Sequence, residues 1–278
     1  MLSVHGRRED GFHDLTSIVA ATRFGDVLGV TLNTAGADKL VCDDERVPLD
    51  ASNLVLRAAK AFREATGSGQ HFNFDLKKRI PMGAGLGGGS SNAAIALRGM
   101  NTLLESPLSD AALEGIASDL GSDCAFFIRG APAIMSGRGE CLKALPEHLM
   151  EALRGRRIFL FKPDFGIETA GAYRALAEKA PGSYASTDRA QARIDDFTCS
   201  GRLEALLFNS FEISVGAKYL PIACLLELLR EKGFNCLMSG SGSCCFAPVQ
   251  SSTEAAAIRA HCESAFGPGI FFIETSLL

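Results

Sequence analysis

Pro81 to Ala94 reads PMGAGLGGGSSNAA, with Gly83, Gly85, Gly87, Gly88 and Gly89 crowded in front of two serines and an alanine-rich run. Glycine here either makes a flexible tether or lets backbone approach something closely, and only the second use is followed by an ordered element. The apolar spacing after Ser91 predicts a helix to Leu104, so the run opens a helix. Uncrowded N–H groups, the positive end of that helix and the hydroxyls of Ser90 and Ser91 then form a cradle for an anion, and a triphosphate suits it.

Neither familiar nucleotide loop accounts for the stretch. Gly83, Gly85 and Gly88 satisfy GxGxxG, but the preceding strand alternates and no second strand ending in an acid follows, as a dinucleotide fold requires. A P-loop needs a lysine where this chain has Ser90. What remains is a phosphate loop of another kind, or a glycine turn that only packs a helix.

Outward from the run, HFNFDLKKRI before it puts Phe72, Phe74 and Leu76 on one face of a strand and Asn73, Asp75 and Lys77 on the other. VLGVTL (Val27 to Leu32) predicts a further strand, and Ser52 caps a predicted helix carrying Leu54, Ala58 and Phe62 that stops at Gly67. A helix is expected over Ser109 to Leu120, and CAFFIRGAPAIMSG reads as strand. The later half predicts strand RIFLFKP, helix TAGAYRALAEK, a polar stretch PGSYASTDRAQARIDD, helices around Leu203 to Leu207 and Leu220 to Lys232, strands NCLMSG and CCFAPV, helix TEAAAIRAHCESAF and strand GIFFIET. A composition shift at LPEHLMEALRGR divides the chain into residues 1–148 and 149–278. The fold class is α+β.

Net charge of −4 with interspersed charges leaves no basic stripe for nucleic acid and no polybasic run for a membrane, so the partners are small molecules. Apolar stretches such as LPIACLLELL are too short to span a bilayer, and the first residues lack the apolar middle of a signal peptide. Nine cysteines without CxxC spacing point to a reducing, cytoplasmic setting and to no metal centre. His5, His71, His148 and His261 have no Cys or acid at ligand spacing.

Two further stretches join the glycine run: MSGSGSCCFA (Met238 to Ala247), which places Gly240 and Gly242 between apolar strands, and RREDGFHDL near the start. Together the three resemble the GHMP kinases, and RREDGFH resembles the branch of that family acting on a cytidyl-bearing alcohol of non-mevalonate isoprenoid synthesis. The resemblance implies an N-terminal α/β domain holding ATP, a ferredoxin-like C-terminal domain contributing the Gly240 to Ser243 loop, and a substrate cleft between them. It implies ATP contacts from Pro81, Gly83, Gly85, Leu86, Gly87, Gly88, Gly89, Ser90, Ser91, Gly240 and Gly242, with Asn53 and Lys78 near the adenine. Asp123 in LGSDCAFFIRG matches the family's catalytic aspartate, which acts on the substrate's 2-hydroxyl and here heads an apolar strand. Phe12 and His13 match the pair that holds cytosine, one ring stacking and the imidazole hydrogen-bonding. Thr169 and Tyr173 match substrate-side positions, Tyr173 as the second aromatic wall. Mg²⁺ is implied by the triphosphate's charge, with no acid assigned as its ligand.

One departure sets up a rival reading. The family's first strand begins Pro-Ala-Lys-x-Asn, its lysine beside the catalytic aspartate, and here no lysine precedes Lys39. The expectation is that the start is internal to the reading frame, or that the chain is a homologue that binds nucleotide and turns over poorly or acts on another small alcohol.

Overall fold

The computed structural model describes residues 1–278 and divides into two compact units, each discontinuous in sequence. Gly25–Met82 and Gly87–Ala131 form one, labelled the nucleotide unit for the ATP loop the resemblance leads one to expect there. Met1–Phe24, Gly83–Leu86 and Pro132–Leu278 form the other, labelled the base unit for the expected cytosine-holding residues Phe12 and His13. Packing therefore groups the first strands and the segment after Ala131 with the C-terminal half, a different division from a single cut at residue 148.

The base unit opens with β1 (Leu2–Arg7) and β2 (His13–Val19), which pair antiparallel with each other. The nucleotide unit follows with β3 (Val27–Asn33), β4 (Lys39–Cys42) and β5 (His71–Lys77) in the order β3-β5-β4, with α1 (Leu54–Thr66) between β4 and β5. The alternation read in β5 is real: Phe72, Phe74 and Leu76 are buried and Phe62 of α1 meets Phe72 edge-on. Asn53 rather than Ser52 caps α1, its Oδ1 accepting from the Val55 N–H at 2.9 Å, while the Ser52 hydroxyl donates to Asp50. Then come α2 (Gly88–Leu103), α3 (Asp110–Leu120) and α4 (Cys124–Arg129). Small side chains let α2 lie close on the sheet: a Cβ at Gly99 would stand 2.9 Å from Val30.

CAFFIR corrects the sequence reading. Cys124, Ala125, Phe126 and Ile128 are all buried, and a short run apolar on every side has no period that tells a buried helix from a strand; here it is α4, and strand begins only with β6 (Ala133–Gly137). Asp123 accordingly heads a helix, not a strand.

In the base unit, β6 and β7 (Cys141–Ala144) complete the antiparallel sheet β1-β2-β6-β7. After α5 (Glu147–Leu153), β8 (Arg157–Lys162), α6 (Thr169–Glu178), α7 (Thr187–Ser200), a 3-10 turn (Leu203–Leu206), α8 (Ser210–Lys218), α9 (Leu220–Glu231), β9 (Leu237–Met238), β10 (Cys245–Pro248), α10 (Ser252–Phe266) and β11 (Phe271–Ser276) follow. The sheet order β11-β8-β10-β9, all antiparallel, is the ferredoxin-like arrangement expected. Its core joins Phe161 and Phe159 of β8 to Leu225, Leu226 and Leu229 of α9 and Ile258 of α10. The polar stretch at PGSYASTDRAQARIDD hides the start of α7: Ser186 caps it, and Ala190, Ile194 and Phe197 give it one buried face.

Candidate active site

The glycine run serves two ends at once. Gly83 to Leu86 belong to the base unit, where the Ser243 and Cys244 N–H groups donate to the Gly83 and Ala84 carbonyls at 3.4 and 3.1 Å and the Ser239 hydroxyl donates to the Gly85 carbonyl at 3.0 Å. A Cβ at Gly85 would lie 2.3 Å from the Ser239 carbonyl oxygen, and one at Gly240 would lie 2.9 Å from that of Gly85. These glycines exist because two backbone segments touch.

Gly87 to Ser91 belong to the nucleotide unit and start α2. Gly87, at φ +66°, is the helix cap, and no side chain caps the helix. Ser91 N–H donates back to Gly87, whereas the N–H groups of Gly88, Gly89 and Ser90 have no partner in the protein. The Ser91 hydroxyl donates to the Gly88 carbonyl at 2.8 Å, and Ser90 lies within hydrogen-bond reach of the Cys124 thiol. Gly89 is exposed, and a Cβ on it would make only ordinary contact with Leu54 at 3.6 Å. No packing demand within the protein explains that glycine. Bare N–H groups at the positive end of a 16-residue helix fit an oxyanion.

Asp26, which carried no signal in the sequence, sits behind this cradle. Its Oδ1 accepts from the Arg79 and Ile80 N–H groups at 2.7 and 2.8 Å, and its Oδ2 from Lys78 Nζ at 2.5 Å and Asn92 Nδ2 at 2.9 Å. The side chain is 1% exposed and that of Lys78 7%. Burial works against the charge, but bonds from Lys78, Arg79, Ile80 and Asn92 outweigh it and hold the carboxyl below the usual range. Lys78 is thus paired with Asp26, and Asn53 spends its amide on capping α1 and on the Pro48 carbonyl.

Asp123 stands at the head of α4 with no capping bond, its side chain open to solvent yet crowded by protein elsewhere. That crowding disfavours the charged form and pushes its pKa up. An open carboxylate with a raised pKa is a better proton acceptor than an ordinary aspartate. No three His, Cys, Asp or Glu side chains converge as a metal cage would need.

The aromatic residues lie in the base unit. His13, at the start of β2, is 9% exposed and stacks on Tyr173 of α6 with centroids 4.7 Å apart at 27°. Tyr173 in turn meets Phe211 edge-on at 4.8 Å, and Tyr184 is 6.0 Å from the imidazole. Tyr173 therefore backs the imidazole directly. His13 Nε2 is buried without a hydrogen-bond partner. Burial, with Arg7 nearby, lowers the His13 pKa, so the ring is neutral at pH 7 and Nε2 can serve a neutral base. Phe12 is 53% exposed, with the Arg138 guanidinium 4.9 Å from its ring centre. Thr169 meets Ser241 hydroxyl to hydroxyl at 3.0 Å, which ties the start of α6 to the loop of Gly240 and Gly242.

Comparison with known proteins agrees in both halves of the chain. The profile of the GHMP kinases N terminal domain matches residues 53–131, and that of the GHMP kinases C terminal matches residues 192–269. A 4-diphosphocytidyl-2-C-methyl-D-erythritol kinase of Desulfitobacterium hafniense (strain Y51) is 38% identical over 265 residues, covering 93% of this chain and 87% of that protein. One from Protochlamydia amoebophila (strain UWE25) is 37% identical over 246 residues, 88% of this chain and 79% of its own. The crystal structure of a 4-(cytidine 5'-diphospho)-2C-methyl-D-erythritol kinase superposes with TM-score 0.76 at 31% identity, covering 99% of this chain and 95% of that one. A homoserine kinase from Cytophaga hutchinsonii shares the fold, with TM-score 0.71 at 18% identity over 99% and 93% of the two chains.

Proposed function

The chain belongs to the GHMP kinases, and from that premise we propose that it transfers the γ-phosphoryl group of ATP to the 2-hydroxyl of 4-diphosphocytidyl-2-C-methyl-D-erythritol. The observation that carries this reading is the uncapped start of α2, where the Gly88, Gly89 and Ser90 N–H groups have no partner and Gly89 is bare without a packing reason. Such a cradle holds phosphate oxygens by backbone and helix field, with no lysine. ATP supplies the phosphoryl group. Gly87 sets the turn that aims these N–H groups, Gly85 and Gly240 let their two backbone segments touch, and likeness to the family adds Pro81, Gly83, Leu86 and Gly242 to the ATP contacts.

Asp123 accepts the proton of the attacking hydroxyl, for which its raised pKa suits it. On the base unit, His13 Nε2 offers a hydrogen bond to the cytosine edge, Phe12 offers an open ring face, and Tyr173 holds the imidazole in plane. Thr169 supports the Gly240 to Ser243 loop. The triphosphate's charge calls for a divalent ion, Mg²⁺ being the usual one, which would neutralise charge on the phosphate oxygens. Free cysteines throughout fit a reducing, cytoplasmic setting.

The test is release of ADP that depends on the cytidyl substrate. Turnover with that substrate and none with homoserine, mevalonate or galactose is expected. ADP release indifferent to the cytidyl substrate, or nucleotide binding without turnover, would favour the rival reading, which the names and identities of the relatives do not support.

A further inference from the structure

We propose that Asp26 is the positioning residue of the nucleotide cradle: one buried carboxylate clasps the chain on both sides of the Gly87 to Gly89 turn and so fixes where the α2 N–H groups point. The inference rests on the ATP reading of that cradle. Its geometry is specific. Oδ1 holds the Arg79 and Ile80 N–H groups, the last donors before Pro81, and Oδ2 holds Asn92 within the first turns of α2 together with Lys78. All the carboxylate's lone pairs are engaged and the group is shut off from solvent, so it has nothing left to offer a ligand and acts only through what it holds.

Lys78 links the clasp to the cradle. Its Nζ lies 3.1 Å from where a Cβ of Gly88 would stand, with Ile80 Cγ2 at 3.2 Å, so the first residue of α2 rests on the clasped segment. A buried ion pair is weak as a source of stability, because its desolvation offsets most of its attraction. Its usefulness here lies in direction: backbone donors at a phosphate site must be set within fractions of an ångström, and displacement of about 1 Å costs on the order of 100-fold.

Paired substitutions separate positioning from mere folding. Asp26→Asn with Lys78→Met removes both charges but keeps a carbonyl acceptor for Arg79 and Ile80; Asp26→Val with Lys78→Met removes the acceptor as well. Kd for ATP and for the cytidyl substrate is read by calorimetry at a temperature where circular dichroism reports folded protein, with Tm alongside. The valine pair should weaken ATP about tenfold or more and leave the cytidyl substrate within about threefold, and the asparagine pair should return ATP to within about threefold of the unaltered chain. If the valine pair does not fold, Asp26→Glu is read instead, since it keeps the charge and moves the acceptor by one methylene; it too should weaken ATP selectively. Unchanged ATP affinity with only a lowered Tm, or equal weakening of both ligands, overturns the inference. Absence of ATP binding by the unaltered chain removes the proposed function and this inference together, whereas ATP binding that ignores the clasp removes this inference alone.

Discussion

The proposed nucleotide cradle and the proposed base-facing wall are built from different materials. At the start of α2 the functional atoms are backbone N–H groups, and side chains are either absent, as at Gly89, or turned back into the helix, as at Ser91. Around His13 the functional atoms belong to rings that hold one another: Tyr173 on the imidazole, Phe211 on Tyr173. A triphosphate offers many equivalent oxygens, which repeated N–H groups match without choosing among nucleosides. A base must be told from other bases, which takes a donor or acceptor at one defined place, and the unpartnered Nε2 of His13 is such an atom. Backbone gives tolerance of ligand and side chains give choice.

Substitutions can break this contrast, beginning with the group on which neither ligand's affinity depends. Asp123→Asn should lower kcat by roughly 10²–10⁴-fold and leave Kd for ATP and for the cytidyl substrate unchanged. In the unaltered chain the same carboxyl should give kcat/KM a rising limb centred above the ordinary aspartate value, because its pKa is raised and only the ionised form takes a proton. Loss of either ligand's binding in the asparagine variant would move Asp123 from chemistry to structure. Tyr173→Ala should weaken the cytidyl substrate by about 0.5–1.5 kcal/mol and not ATP, through loss of the ring that backs His13. Equal weakening of both ligands in calorimetry would show that the wall is not a base site.

Gly89→Val tests the cradle from the other side. The protein has room for the new atoms, so Tm should hold while ATP binding weakens about tenfold, or about 1.4 kcal/mol. Retained ATP affinity would make the turn structural. His13 gives a smaller, pH-dependent effect. Its folded pKa is lowered, so below the ordinary histidine value near ~6.5 the unfolded chain takes up a proton that the native chain refuses, and Tm should fall as pH drops through that value. His13→Gln should flatten that part of the Tm profile. Smallest of all, Ser91→Ala should change KM for ATP by less than about tenfold, because its hydroxyl is bonded within the helix; a larger change would give the cradle a side-chain component.

What the sequence made legible follows the same division. A backbone site is written as missing side chains, so five glycines at the opening of a helix declared it, and the period-two pattern of Phe72, Phe74 and Leu76 declared the strand leading to it. Residue type alone could not say that Gly85 is bare for Ser239 and Gly89 for another reason, since both read simply as Gly. His13 and Tyr173 are 160 positions apart; likeness to a family implied that both face one slot, but that Tyr173 stacks on the imidazole itself is visible only in the folded base unit. Asp26 left no trace because an isolated aspartate before a strand is ordinary, and its partners lie at Lys78 to Ile80 and Asn92. CAFFIR failed as a strand because hydrophobicity on every side erases the period that separates strand from helix.

The division of the chain into discontinuous units also bears on its synthesis. β1 and β2 are made before the nucleotide unit, yet β6, the neighbour that β2 pairs with, begins at Ala133, after every residue of that unit has been made. The nucleotide unit occupies one nearly unbroken segment and can form while the rest is still being translated. The first hairpin has to wait, with one edge unpaired, for the chain to return to it. Of the two units, the one with the uncapped α2 is therefore complete first, and the strand that carries His13 gains its last sheet neighbour only after that unit has been made.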